Sequence, residues 1–172
     1  NTLSVVQSLA HQTLRSTTSP AGFVSNFTGR LEALSRAHTL LSEGSWKGGD
    51  LAVLAKRELL LGDINEKRVS IQGPSIALTP QQALNLALVF HELAVNARKY
   101  GALSVPQGVL AVEWSLARDE QQKIQLRWVE TGVPEVRESP NAGFGTALIQ
   151  QVIAQDGGRA QMISRSNGVE WL

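Results

Sequence analysis

The stretch from Thr79 to Tyr100 constrains the fold most strongly, because it predicts one long amphipathic helix. Thr79 is a typical N-cap, Pro80 suits the first helical position, and Gln82 completes a capping box. Gly101 ends the pattern. At about 100° of rotation per residue, one arc of this helix is apolar and contains Leu86, Phe90, Leu93, Ala94 and Ala97. Such an arc packs against a second layer of structure.

Strands on both sides of this helix predict that second layer. Apolar and polar residues alternate over 109–117 and again over 123–129, with a polar turn at 118–122, so these segments predict a hairpin with one buried face. The other predicted elements are helices at 50–61 and 146–156, short strands around Gly73-Pro74, and a last hairpin of 161–164 and 169–172 across Asn167-Gly168. Because strands and helices do not alternate regularly, the order favours an α+β fold with one mixed sheet and helices on one face.

The first forty residues predict two helices that pair with a second copy. The second helix carries Phe27, Leu31, Leu34, His38 and Leu41 at steps of four, three, four and three, which is a heptad seam. Two short helices do not bury such a seam alone, so we expect a four-helix bundle made by two chains. The small, flexible residues of 42–49 then predict a linker between a helical hairpin, residues 1–44, and a second domain, residues 45–172.

Composition excludes several classes of protein. The 172 residues suffice for one ordinary domain or a small domain with a helical arm, and 42% hydrophobic content supports a real core. A net charge of +1 argues against broad nucleic-acid binding. The lack of cysteine excludes disulfides, thiolate zinc clusters and thiol catalysis. With no apolar run long enough to span a bilayer and no signal peptide, we expect a cytoplasmic segment without membrane contact, cut from a larger protein.

The candidate site lies on the polar arc of the long helix. Glu92 and Asn96 are four residues apart and stack, Lys99 follows on the same stripe, and Tyr100 lies at its edge. Mg²⁺ prefers hard oxygen ligands and keeps several waters, so one Asn oxygen suffices as its protein ligand. Lys99 can offset phosphate charge, and Glu92 can orient or deprotonate a water. The alternative is a solvated helix face with an i,i+4 pair, which contributes only about 0.2–0.5 kcal/mol.

Two further segments carry weaker signals. Gly143-Phe144-Gly145-Thr146 opens a predicted helix, where glycines let backbone N–H groups approach phosphate oxygens, but it matches neither a P-loop nor a Rossmann fingerprint. Glu130 ends a strand two residues before Gly132 and is placed to accept a hydrogen bond from an exocyclic amine such as adenine's. The alternatives are an ordinary glycine-rich helix start and a polar strand end. His11, His38 and His91 show no metal-ligand spacing on one helix face.

Together these segments resemble the HWE group of bacterial sensor histidine kinases. Phe90 to Ser104 resembles the group's N-box, and His91 and Trp128-Val129-Glu130 match the His and Trp-x-Glu for which it is named. Gly143 to Ile149 resembles its second glycine box. Residues 1–10 and 36–41 resemble its dimerisation and phosphotransfer helices, so the match spans nearly the whole chain.

The resemblance implies a two-helix dimerisation hairpin followed by a Bergerat-type ATP-binding α/β sandwich. It implies that Asn96 binds Mg²⁺, that Glu92 assists phosphoryl transfer as the catalytic residue, and that Glu130 contacts adenine. The other nucleotide-binding residues that it implies are Lys99, Tyr100, Gly132, Gly143, Phe144, Gly145 and Thr146. The implied function is ATP-dependent autophosphorylation on histidine in two-component signal transduction, followed by transfer to an aspartate of a response regulator, in a homodimer controlled by an upstream sensor domain.

Two features depart from the family pattern. The family's acceptor His would precede Asn1, which leaves His11 only as a reserve candidate. Thr131-Gly132-Val133 replaces a Gly-Gly pair after Trp-x-Glu, which alters the adenine end, and the short segment between Glu130 and Gly143 predicts a small lid. Two other functions stay open: a degenerate Bergerat module that binds nucleotides or partners without kinase activity, and a serine kinase or ATPase of the wider superfamily, against which the heptad seam argues.

Overall fold

The computed structural model describes residues 2–43, 49–62, 65–117, 123–133 and 142–172. The centre of the predicted linker, the hairpin turn at 118–122 and most of the predicted lid lie outside the described residues. The helices are α1 (Thr2–Ser16), α2 (Pro20–Glu43), α3 (Leu51–Leu59), α4 (Pro80–Lys99) and α5 (Ala142–Gln155), with short 3₁₀ turns at Glu66–Arg68 and Ala102–Ser104. The strands are β1 (Gly49–Asp50), β2 (Val69–Gln72), β3 (Ala77–Leu78), β4 (Val109–Leu116), β5 (Ile124–Thr131), β6 (Met162–Arg165) and β7 (Gly168–Trp171).

A mixed five-stranded sheet forms one layer of the fold. Its strand order is β2-β4-β5-β7-β6, with β2 parallel to β4 and the other neighbours antiparallel. The two short strands predicted around Gly73-Pro74 are present but belong to different sheets, because β3 pairs with β1 and not with β2. The predicted α+β architecture with a mixed sheet is confirmed.

Helix α4 lies at the centre of the molecule. Its predicted capping box is confirmed, because the Thr79 hydroxyl accepts the Gln82 N–H at 3.3 Å while the Gln82 side chain accepts the Thr79 N–H at 2.9 Å. Phe90 and Leu93 from the predicted apolar arc are buried in one cluster with Trp128 of the sheet. The opposite side of α4 is also buried, against α2, so this helix is a core helix and not a surface helix.

The buried face of α2 only partly coincides with the predicted heptad seam, because it includes Leu34 and Leu41 but not Leu31 or His38. The buried residues of α2 are Arg30, Ala33, Leu34, Ala37, Leu40 and Leu41. Leu31 of the seam is 39% exposed, and His38 is exposed as well. The heptad pattern leaves out Ala33 and Ala37, whose small side chains are fully buried. Because α4 covers this face within one chain, the seam alone no longer requires a second copy, and the homodimer stays a prediction.

The hairpin also shares a core with the sheet layer. Ala37, Leu40 and Leu41 of α2 belong to the same buried cluster as Phe90 and Trp128. A buried carboxylate on α3, Glu58, accepts two hydrogen bonds from Arg36 of α2, at 2.9 and 2.6 Å. The division into domains 1–44 and 45–172 therefore stays a prediction about sequence organisation.

Several predicted boundaries moved. Helix α5 begins at Ala142, four residues before the predicted start, so the glycines of 143–146 lie inside its first turn. The last hairpin turns at Ser166-Asn167, because Gly168 already pairs with Arg165. Helix α3 begins after Asp50, whose carboxylate accepts the N–H groups of Ala52 and Val53 at 2.8 and 3.1 Å. Among the described residues, no helix combines the length and apolar character needed to cross a membrane.

Candidate functional site

The C-terminal half of α4 and the first turn of α5 meet at Gly145. A methyl group added at Gly145 would lie 3.2 Å from the Asn96 amide nitrogen and 3.5 Å from a carboxylate oxygen of Glu92. The two helices approach this closely because residue 145 has no side chain. The structure therefore brings together Glu92, Asn96 and the glycine-rich segment, which were predicted separately. Thr146 is half-buried in the same helical turn, and only the backbone of Gly143 and Phe144 is described.

Glu92 is buried in an ion pair that crosses from α4 to α2. Glu92 as a whole is 8% exposed. Arg30 of α2 donates to both carboxylate oxygens, from Nε at 2.8 Å and from Nη2 at 3.2 Å. The Nη1 of Arg30 donates to the Thr13 hydroxyl of α1 at 2.6 Å. The alternative of a solvated pair on a helix face is therefore wrong for Glu92.

Arg30 is the residue of this site that sequence reasoning missed. The available signal was its position, because it lies on the same face of α2 as Ala33, Leu34 and Ala37. An arginine among small and apolar residues on the buried face of a helix needs a carboxylate partner, since an unpaired buried charge is costly. The spacing in the sequence gives no hint that this partner is Glu92, 62 residues away.

His91 is the neighbour of Glu92 on α4 and lies close to Gly29 of α2. A methyl group added at Gly29 of α2 would lie 3.0 Å from the imidazole Nε2. Burial lowers the pKa of His91 below the usual 6.5, the charge of Glu92 opposes this shift, and the charges of Arg36, Arg30 and Arg98 add to it. The imidazole is therefore held in its neutral form near neutral pH.

The carboxylate of Glu130 clamps the chain just after α4. This residue is 5% exposed, and its oxygens accept the Ala102 N–H at 2.7 Å and the Trp128 indole N–H at 2.9 Å. Burial raises the pKa of Glu130, while the hydrogen bonds from Trp128 and Ala102 act in the opposite direction. A methyl group at Gly101 would lie 1.8 Å from the same carboxylate, so only glycine fits there.

The segment 101–108 is held from two more sides. Arg68 donates to the carbonyl oxygens of Gly108 at 2.8 Å and of Ala102 at 2.7 Å. Gly132 has a φ of +78°, and a methyl group there would lie 2.8 Å from the Gln107 carbonyl oxygen. This clamped segment directly follows Lys99 and Tyr100, which are exposed at the end of α4, Tyr100 by 57%. The structure therefore forms a second group from Glu130, Gly132 and the end of α4.

A separate cleft of about 1060 Å³ opens between the N-terminal half of α4, α5 and the sheet. Its walls include Leu86, Val89, Trp114, Leu126 and Ile153, and among the residues with described side chains none of the predicted site residues lines it. Among the described residues, no cluster of three or more His, Cys, Asp or Glu side chains is arranged to hold a metal ion. A cation at the Asn96 site would therefore depend on amide, water and ligand oxygens.

Comparison with known proteins identifies the fold and the family. Residues 1–75 match the model of the HWE histidine kinase family. Blue-light-activated histidine kinases of Brucella ovis and Brucella anthropi are 36% and 37% identical to this chain, over 91% and 89% of its length. The chain spans 32% of the length of each of these relatives.

Solved structures agree on the fold. The blue-light activated histidine kinase EL346 of Erythrobacter litoralis matches with a TM-score of 0.67 at 17% identity, over 99% of this chain and 57% of that chain. The histidine kinase domain of the same protein matches with a TM-score of 0.60 at 14% identity, over 98% of this chain and 92% of that chain. The fold is thus the Bergerat-type sandwich of histidine kinases together with its helical hairpin. The chain belongs to the HWE histidine kinase family.

Proposed function

We propose that this chain is the transmitter segment of a sensor histidine kinase. It binds Mg·ATP and transfers the γ-phosphoryl group to a histidine that precedes Asn1, from which a response-regulator aspartate receives it. The main support is the meeting of Glu92, Asn96 and Gly145, because three predicted site elements from two helices converge on one point. The chain spans 32% of the length of its relatives, so the activity of a whole protein is part of this proposal.

The residues at this point fit a magnesium–phosphate group. Asn96 supplies an amide oxygen, and Gly145 leaves the space beside it free of a side chain. When bound, Mg²⁺ supplies charge neutralisation at the phosphates and a fixed geometry for the transferred group. We assign Asn96 to hold Mg²⁺, and the backbone of Gly143, Phe144, Gly145 and Thr146 to contact the phosphates at the start of α5.

The remaining residues bind and orient the nucleotide. Lys99 and Tyr100 are exposed at the end of α4, where an ammonium and a phenol ring can contact phosphate and base. Each carboxylate oxygen has two lone pairs, so Glu130 can accept an adenine amine in addition to its two present donors, with Gly132 shaping the same end. Glu92 accepts or orients the proton of the attacking imidazole. Phosphoryl transfer of this kind depends mainly on positioning and charge stabilisation.

The proposal extends to partners and location. We expect a homodimer through the helical hairpin, an upstream sensor domain, and a response regulator as the phosphoryl acceptor. We place the protein in the cytoplasm, where ATP and response regulators are found.

A degenerate module without kinase activity is the second candidate. The observation in its favour is the pairing of both Glu92 oxygens with Arg30, which occupies the proposed catalytic carboxylate. This candidate predicts nucleotide or partner binding without a phosphoprotein product.

Phosphorylation of the full-length protein tests the proposal. The protein, including the residues before Asn1, is incubated with Mg²⁺ and γ-labelled ATP, and the product is treated with acid and with base. We expect a base-stable, acid-labile phosphoprotein that disappears in Glu92→Gln and Asn96→Ala and persists in Glu113→Gln, a matched change at a half-exposed position of the sheet. Nucleotide binding without any phosphoprotein would favour the degenerate module, and an acid-stable product would favour a serine kinase.

A further inference from the structure

Two neighbouring residues of α2 contact two neighbouring residues of α4. Gly29 faces His91, where an added methyl group would lie 3.0 Å from the imidazole, and Arg30 pairs with Glu92 at 2.8 and 3.2 Å. The Arg30 and Glu92 side chains are only 4% and 10% exposed. The proposed catalytic carboxylate is therefore in direct contact with the helical hairpin.

This ion pair conflicts with the role of Glu92 as a proton acceptor. The guanidinium of Arg30 donates charge-assisted hydrogen bonds to both oxygens of Glu92, which fixes the orientation of the carboxylate. In a buried setting the attraction between the two charges is weakly screened, so the Glu92 carboxylate is held against the guanidinium of Arg30 while the pair persists. Glu92 can turn its carboxylate toward another group only after Arg30 has released at least one oxygen.

The first helix of the hairpin reaches the same arginine. Thr13 of α1 accepts a hydrogen bond from Arg30 at 2.6 Å and donates its own proton to the Leu9 carbonyl at 2.6 Å. Leu9 in turn is buried with Leu34 of α2 and Leu88 of α4. A shift of α1 against α2 therefore changes the support of Arg30 and, through Arg30, that of Glu92.

We propose that Arg30 is a positioning residue that holds Glu92 in a resting state, and that phosphoryl transfer requires the hairpin to release it. This inference rests on the proposed function of Glu92. The guanidinium of Arg30, a residue of α2, hydrogen-bonds to Thr13 of α1 and to Glu92 of α4. It therefore links the arrangement of α1 and α2 to the chemistry on α4. Upstream signals that rearrange the hairpin would act through this contact.

Rate measurements on the full-length protein test the inference. The autophosphorylation rate and the Mg·ATP affinity are measured for the parent, Arg30→Gln, Arg30→Lys, Thr13→Val and Glu92→Gln. We expect Arg30→Gln to raise the unstimulated rate at least about fivefold, the lower end of typical coupling between sites, with unchanged Mg·ATP affinity. Arg30→Lys keeps the positive charge and is expected to return the rate toward that of the parent, whereas a merely structural arginine would show no such pattern.

The control variants separate the possible failures. The double variant Glu92→Gln with Arg30→Gln is expected to be inactive, because it lacks the carboxylate that the loss of Arg30 would release. A lower or unchanged rate in Arg30→Gln, with folding and Mg·ATP affinity retained, would overturn the inference and leave the proposed function intact. If Arg30→Gln does not fold, Thr13→Val is the deciding variant, because it removes one partner of Arg30 and leaves the ion pair with Glu92 in place. A raised autophosphorylation rate in Thr13→Val supports the inference, and an unchanged rate overturns it. An inactive parent protein would overturn both proposals.

Discussion

The carboxylate of Glu130 accepts the backbone N–H of Ala102 at 2.7 Å and so joins the end of β5 to the turn after α4. Its second oxygen accepts the indole N–H of Trp128, two residues earlier on the same face of the strand. The Trp-x-Glu motif of the family therefore has a structural role in this chain. It fixes the segment that follows Lys99 and Tyr100.

Replacing Glu130 by Gln tests this clamp. The amide group has one acceptor oxygen, so it leaves either the Ala102 N–H or the Trp128 N–H facing another donor. We expect the free energy of unfolding in urea to fall by about 1–3 kcal/mol, the cost of an unsatisfied buried group. The matched control is Glu113→Gln. Glu113 and its partner Arg127 are both half-exposed and lie 3.6 Å apart, so we expect almost no change in the free energy of unfolding. Equal unfolding curves for the two variants would show that Glu130 is not a clamp.

Gly145→Ala separates stability from nucleotide binding. Alanine favours a helix over glycine by about 1 kcal/mol, which offsets the cost of a tight contact with Asn96, so we expect thermal stability to change little. The added methyl group lies 3.2 Å from the Asn96 amide nitrogen, a tight contact, and fills the space proposed for the phosphates. We therefore expect the Kd for Mg·ATP to rise at least about tenfold, or about 1.4 kcal/mol.

Gly22→Ala provides the control for that experiment. Gly22 also lies in a helix, but on α2, where the added methyl group meets the Ser19 side chain. Mg·ATP affinity equal to that of the parent is expected for this variant. If Gly145→Ala binds Mg·ATP as tightly as Gly22→Ala does, the phosphates do not bind beside Gly145.

His91 makes stability depend on pH in a definite direction. Because its pKa in the folded chain is lowered from the usual 6.5, the unfolded chain takes up a proton first as the pH falls. Stability rises with pH wherever the unfolded state binds more protons. The contribution of His91 is therefore complete above pH 6.5 and is lost progressively below it.

Urea unfolding between pH 5 and pH 8 measures this effect. We expect the loss of stability on acidification to be smaller in His91→Phe than in the parent, because the phenyl ring does not titrate. His11→Gln, a change at an exposed position of α1, serves as the control and is expected to follow the parent. A parent-like acid loss in His91→Phe would assign the pH dependence to other groups.

Local signals in the sequence predicted the helices and strands whose formation depends on contacts between residues close in sequence. The capping box of Thr79 and Gln82 marked the start of α4, and strict alternation marked β4 and β5, whose register pairs Val112 with Trp128. These elements were predictable because hydrogen bonds and side-chain periodicity within a few residues determine them. The stripe of Glu92 and Asn96 followed from helical spacing alone.

Long-range contacts account for what the sequence did not predict. Arg30 meets Glu92 across 62 positions, and Glu130 meets Ala102 across 28. The strand β1 has only two residues and exists because Gly49 pairs with Leu78. In each case the packing of distant segments determines which residue is the partner, and local residue patterns do not predict it.

Calorimetric titration with Mg·ATP tests whether the nucleotide binds at Asn96. The chain is titrated beside two variants on the same helix, Asn96→Ala and Asn85→Ala. Asn85 is buried and donates to Asp156 at 2.9 Å, so its loss is expected to lower stability without changing Mg·ATP affinity.

The two variants therefore have opposite expected effects. Asn96→Ala is expected to stay folded and to lose Mg·ATP binding, because it removes the proposed Mg²⁺ ligand. Binding that is equally strong in the parent, Asn85→Ala and folded Asn96→Ala, or absent from a folded parent, would contradict the account.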